Sequence, residues 1–146
     1  MTTPRDPDFE RRVRESFTRQ RFMATLGATL DVVLPGEVHI GFTHREELTQ
    51  QHGYLHAGVL ASVADSACGY AALSLMEPGA GVLSIEFKIN MLAPAVGTHF
   101  VAIGRVVRSG RTITVCSGEV RAEDGTSPVA MMQATMMAVR GKGLND

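Results

Sequence analysis

Residues 57–76, AGVLASVADSACGYAALSLM, run for twenty positions with one ionisable carboxylate, Asp65. The stretch is flanked by His56 and Glu77. Its length raises a transmembrane reading. The central Asp65, three serines, two glycines and the absence of flanking Lys or Arg anchors argue instead for a buried helix of a soluble protein. A lone acid among apolar neighbours is costly to bury, and desolvation raises its pKa; such groups concentrate where chemistry is done. A partnered structural Asp, or one on a thin polar stripe, is the plain alternative.

Outward from this helix the pattern changes in both directions. Before it, Ala28–Leu34 and Glu37–Thr43 flank Pro35-Gly36 and read as two strands joined by a tight turn. The polar loop HREELTQQHGYLH then leads into the helix. After Pro78-Gly79 the period is two: Leu83, Ile85, Phe87, Ile89 and Met91 are expected on one face, Ser84, Glu86, Lys88 and Asn90 on the other. Pro94 and Gly97 mark a turn, His99–Arg108 and Thr112–Glu123 form a hairpin around Ser109-Gly110-Arg111, and Val129–Val139 is the last strand. At the start, Asp6 can cap a helix with Pro7 in its first position, Phe9, Val13 and Phe17 forming the buried stripe and Gly27 ending it.

The order predicts an α+β domain over residues 28–140, with an N-terminal helical segment over 1–27 and a tail over 141–146. A helix apolar on all sides must be covered on all sides, and one six-stranded sheet covers only one. A homodimer at least is expected.

The 146 residues suffice for a single core, and the formal charge of −1 argues against nucleic acid as main partner. Six arginines between Arg5 and Arg21 alternate with acids and read as a solvated helix face. Cys68 and Cys116 lack a CxxC or His-rich context, so they read as reduced, buried residues of a cytoplasmic protein with no metal site. Met131, Met132, Met136 and Met137 read as core or interface filler.

The first N–H groups of the long helix have no internal partners and carry the positive end of its dipole, which suits an oxyanion. Gly58 lets a ligand approach the backbone. Asp65 lies about 12 Å further along the axis at ~1.5 Å per residue, too far for one helix to supply both oxyanion donor and attacking group. Two antiparallel copies across a two-fold axis would pair the start of one with Asp65 of the other.

The segments TQQHGYLHAGVLASVADSACGYAA and SIEFKINMLAPA resemble the hotdog-fold acyl-CoA thioesterases of the phenylacetate-degradation branch. The resemblance implies a long central helix wrapped by a six-stranded antiparallel sheet, and hydrolysis of acyl-CoA without a cofactor, coenzyme A being part of the substrate. It also implies roles. Asp65 attacks the thioester or activates water, the Ala57 N–H faces the carbonyl where the family often has glycine, and Gln50 orients the reacting groups, with Gln51 its less apt neighbour. Ser84 stands near the attacking water. His56, Gly58 and Leu55 border the substrate, and Val59 and Tyr70 can line its pocket. The turn Arg108, Ser109, Gly110, Arg111 can grip phosphates of coenzyme A or be a solvated tip. Two other functions fit the same frame: a dehydratase or hydratase of 3-hydroxyacyl thioesters, in which His56 meets Asp65, and a non-catalytic acyl-CoA binding module. Dimer and tetramer are both open, and no membrane partner is expected.

Overall fold

A computed structural model of the chain describes residues 2–144 and 146; Met1 of the expected N-terminal segment and Asn145 of the expected tail lie outside it. The elements are helices α1 (Phe9–Arg19) and α2 (Arg21–Leu26), strands β1 (Thr29–Leu34) and β2 (Glu37–Thr43), a short 3-10 turn (Glu46–Leu48), helix α3 (Ala57–Leu73), and strands β3 (Gly81–Met91), β4 (His99–Ser109), β5 (Ile113–Ala122) and β6 (Ala130–Val139). All six strands form one antiparallel sheet in the order β1-β2-β4-β5-β6-β3, curled around α3. This is the expected α+β hotdog architecture.

The sheet can wrap α3 because both surfaces are small where they touch. Gly104 of β4 and Gly118 of β5 are cross-strand partners. A Cβ on Gly104 would lie 2.3–2.5 Å from backbone atoms of Ala67 and Cys68, and one on Gly118 2.9 Å from Cys68 Sγ. The helix backbone therefore rests directly on glycine, with Ala64, Ala67 and Ala71 buried at the contact. Cys68 and Cys116 are buried and unbonded; burial pushes the Cys116 thiol up to about 12 and the Cys68 thiol higher still, so both stay neutral.

The N-terminal segment departs from the expected single helix. Asp6 accepts from the Asp8 N–H at 2.9 Å, but the N-cap residue is Asp8, with no side-chain cap, and the helix breaks at Gln20 before Gly27 (φ 68°) ends the second piece. Phe9 and Phe17 are only partly buried; Arg12, Val13 and Ser16 are the buried residues. Arg12 is thus no part of a solvated face. It donates to the carbonyls of Leu73, Met76 and Glu77 at 3.0, 2.8 and 2.7 Å and pairs with Asp6 at 3.3 Å. A guanidinium at the C-terminal end of α3 satisfies carbonyls that the helix itself cannot.

Strand β3 corrects the expected alternation. Its register against β6 shifts between Ser84 and Glu86, a bulge at Ile85. Ser84 pairs with Met136, Phe87 with Ala134, Ile89 with Met132 and Met91 with Ala130, all buried partners on the face turned to α3. Leu83 pairs with Met137, and Glu86, Lys88 and Asn90 with Thr135, Gln133 and Met131, on the other face. The extra residue moves Ser84 from the outer to the inner face, which brings it to Asp65.

Candidate active site

Asp65 is half-buried on α3, on a stripe with Gly58, Ala61, Ser62 and Gly69 that the chain's own sheet leaves partly open. Ser84 donates to Asp65 Oδ1 at 2.6 Å. Burial raises the carboxyl above its ordinary range, and the Ser84 bond acts in the opposite direction. Among the described residues no cation pairs with it, and its carboxylate is partnered by the Ser84 hydroxyl. A cavity of about 110 Å³ adjoins it, walled by Gln20, Tyr70, Val82, Ser84, Met136 and Asp146 among others. It has room for a few waters.

A second cavity, of about 430 Å³, lies at the start of α3 and is walled by Gln50, Leu55, Ala57, Leu60, Met91 and Leu92 among others. The loop before the helix is held by a bridge between Thr49 and Leu55, and by the Gln50 N–H donating to the Tyr54 carbonyl at 2.9 Å. Gln50 Oε1 accepts from the His52 N–H, leaving its NH2 to meet a ligand. His56 is the N-cap: its Nδ1 accepts from the Gly58 N–H at 2.8 Å. A Cβ on Gly58 would stand 3.0 Å from that nitrogen, so this glycine makes room for the imidazole cap rather than for a ligand. With Gly58 engaged, the Ala57 N–H is the first donor of the helix, and no acceptor faces it among the described residues.

Within one chain the structure joins Asp65 with Ser84, and Gln50 with Leu55 and Ala57, in separate places. Gln51 is exposed, contacts His52, and walls neither cavity. Arg108, Ser109, Gly110 and Arg111 form the β4–β5 hairpin beside the end of α3 and also wall neither; the Arg111 carbonyl accepts from Arg140, which pairs with Glu77. Sequence reasoning missed Gln20, Met136 and Asp146 as neighbours of Asp65. Gln20 lay in what read as uninterrupted helix, and Asp146 reaches the site only because the tail folds back, accepting from Ser16 at 2.9 Å and from the Val82 N–H at 2.7 Å. Among the described residues no group of His, Cys, Asp and Glu side chains could hold a metal ion, and no helix is long and apolar enough to cross a membrane.

The profile of the thioesterase superfamily matches residues 52–129, which include the start of α3, Asp65 and Ser84. A crystal structure of a thioesterase family protein from Silicibacter pomeroyi superposes with a TM-score of 0.88 at 51% identity, covering 91% of this chain and 99% of that one. The chain belongs to the thioesterase superfamily. This thioesterase is also 33% identical to human acyl-coenzyme A thioesterase 13 over 73% of its own length and 78% of that protein's. A Saccharolobus solfataricus protein named as an esterase shares 34% identity over 62% of this chain and 64% of its own length, just under two thirds.

Proposed function

We propose that this thioesterase hydrolyses acyl-CoA at two equivalent sites, each built from both chains of a homodimer. The carrying observation is the separation of the two half-sites: the free Ala57 N–H and the Asp65 carboxylate open into different cavities of one chain. The stretch of α3 between them spans about 12 Å. The name of the human relative supports the substrate class. The dimer reading is supported by β3, an edge strand of 11 residues whose Leu83, Ile85, Phe87 and Met91 are 41–53% exposed. The opposite edge, β1, is 6 residues long and broken by a bulge at Asp31. A long apolar edge is a template for strand pairing, and a second copy of β3 is its natural occupant. That pairing sets the open stripes of the two α3 helices against each other, the start of one near Asp65 of the other.

In this arrangement the Ala57 N–H, at the positive end of the helix, donates to the thioester oxygen and stabilises the charge that develops on it. Gln50 supplies a further donor from the same side. Asp65 of the partner subunit acts as a general base: Ser84 occupies Oδ1, Oδ2 remains free, and the cavity beside it has room for water. The water oxygen bonds to the carbonyl carbon as its proton passes to Asp65. The C–S bond then breaks, and the thiolate of coenzyme A takes that proton. A hydratase would need His56 as its acid–base group; the cap engages Nδ1 of that imidazole and leaves only Nε2 to meet a substrate.

Mixed dimers test the shared site. Ala57→Pro deletes one N–H at a helix position that tolerates proline, after a residue already extended at φ −62°, ψ 139°. Losing one oxyanion donor costs roughly 10²–10³ in kcat. Asp65→Asn deletes the base. Each homodimer should be nearly inactive, whereas mixing the two by denaturation and refolding should restore turnover, because one site of the heterodimer is then intact. No recovery in verified heterodimers would refute the shared site.

A further inference from the structure

Gln20 sits at the break between α1 and α2, with extended backbone at φ −81°, ψ 90°. Its N–H closes α1 on the Phe17 carbonyl at 3.0 Å, and its own carbonyl opens α2 by accepting from the Met23 N–H at 3.1 Å. Short polar side chains are favoured at such a position because they reach back to the helix's free N–H groups. Gln20 makes no such cap. Its longer side chain crosses to α3, where Ser66 Oγ donates to Gln20 Oε1 at 3.1 Å, and it walls the Asp65 cavity. With the oxygen committed to Ser66, the amide NH2 is left without an acceptor among the described residues. Capping does not explain a glutamine here; its place in the wall of the Asp65 cavity does.

We propose that Gln20 holds the water that Asp65 activates, its amide N–H donating to that water's oxygen. This rests on the reading of Asp65 as general base. A water between Asp65 Oδ2 and Gln20 Nε2 directs one proton to the carboxylate and one lone pair to the amide. The remaining lone pair faces the thioester carbon. The proton goes to Asp65 as the C–O bond forms, so the amide orients the water without itself exchanging a proton. The N-terminal segment, outside the stretch matched by the superfamily profile, thereby contributes to the reaction.

The test uses the full chain, thiol release from an acyl-CoA panel (acetyl-, hexanoyl-, palmitoyl- and benzoyl-CoA), and pH profiles on the best substrate. Gln20→Ala should lower kcat about ten- to a hundredfold while KM stays within about twofold and thermal unfolding shifts by no more than a few degrees. Ser66→Ala, which frees the glutamine oxygen, should lower kcat in the same direction but less. Gln20→Glu places a second carboxylate beside Asp65 and should move the acid limb of kcat to higher pH. The other titratable groups facing Asp65 are Asp146 from the tail and Tyr70 and Cys68 from its own helix, with Arg19 acting on Tyr70; all are common to every variant. A Gln20→Ala enzyme with kcat within twofold of the parent, or a Gln20→Glu enzyme with an unmoved acid limb, would overturn the proposal. Asp65→Asn run alongside separates the two readings: if it is dead while Gln20→Ala is normal, only this proposal fails, and if it turns over freely, both do.

Discussion

Ser84→Ala removes one hydrogen bond from the wall of the Asp65 cavity. The bond is short, 2.6 Å, and runs from a hydroxyl to a carboxylate. Such bonds contribute roughly 1.5–3 kcal/mol. Both residues keep some solvent contact, so water replaces part of what is lost, and the lower figure, about 1.5 kcal/mol, applies. The hydroxyl serves the ionised form of Asp65. Without it, burial acts unopposed and holds the carboxyl further above its ordinary range. At ~1.4 kcal/mol per factor of ten, kcat/KM should fall about tenfold at a pH on the acid limb. The loss should shrink toward parity on the alkaline plateau, where the carboxylate is ionised in both enzymes. Ser84→Thr keeps the donor and should keep the limb. Thiol release from one acyl-CoA, followed across limb and plateau, measures all three enzymes. A loss of equal size at every pH, or a limb displaced to lower pH, would refute the coupling of Ser84 to Asp65.

Asp65→Asn should stabilise the fold while abolishing turnover. Burial raises this carboxyl above its unfolded value, so the stability it contributes is present below that value and is lost as pH rises through the folded one. The gain should accordingly appear in urea unfolding at neutral pH and vanish in acid, at matched protein concentration; equal gains at both would contradict it. Arg12→Met leaves the carbonyls of Leu73, Met76 and Glu77 and the buried Asp6 without their partner. Removing one member of a buried ion pair costs about 3–5 kcal/mol, and an unfolding free energy reduced by less than about 1 kcal/mol would show the contact to be dispensable.

The chain's elements were legible because each carries its own periodicity. The largely apolar run of twenty residues after His56 needs a covering sheet, and the turns at Pro35-Gly36, Pro78-Gly79 and Ser109-Gly110 divide the rest into strands of the right length. The unusual acid was equally plain, since Asp65 stands alone in that run. Local pattern also placed a free N–H at Ala57. What surrounds these groups was not legible. Strict alternation groups Ser84 with Glu86, Lys88 and Asn90, and only the bulge at Ile85 separates it from them and sets it on the face of Phe87 and Ile89. An inserted register shift depends on the fit of β3 against β6, not on the strand's own sequence. Gly58 reads as room for a ligand until the His56 ring is seen to fill that room.

The same division runs through the N-terminal segment. Its helical character follows from Phe9, Val13 and the acid-base alternation, but the burial of Arg12 and the inward reach of Gln20 follow from where α3 ends and where Ser66 points. Sequence alone determined the strands, the long helix and their order, and singled out the acid at Asp65 and the free N–H groups at the start of that helix, because periodicity, turn residues and the cost of burying a charge act over a few neighbouring positions. Only the tertiary structure decided which side chains stand around Asp65, because those contacts join Gln20, Ser84, Met136 and Asp146 across the whole length of the chain, and nothing local links residues so far apart until the sheet closes around the helix.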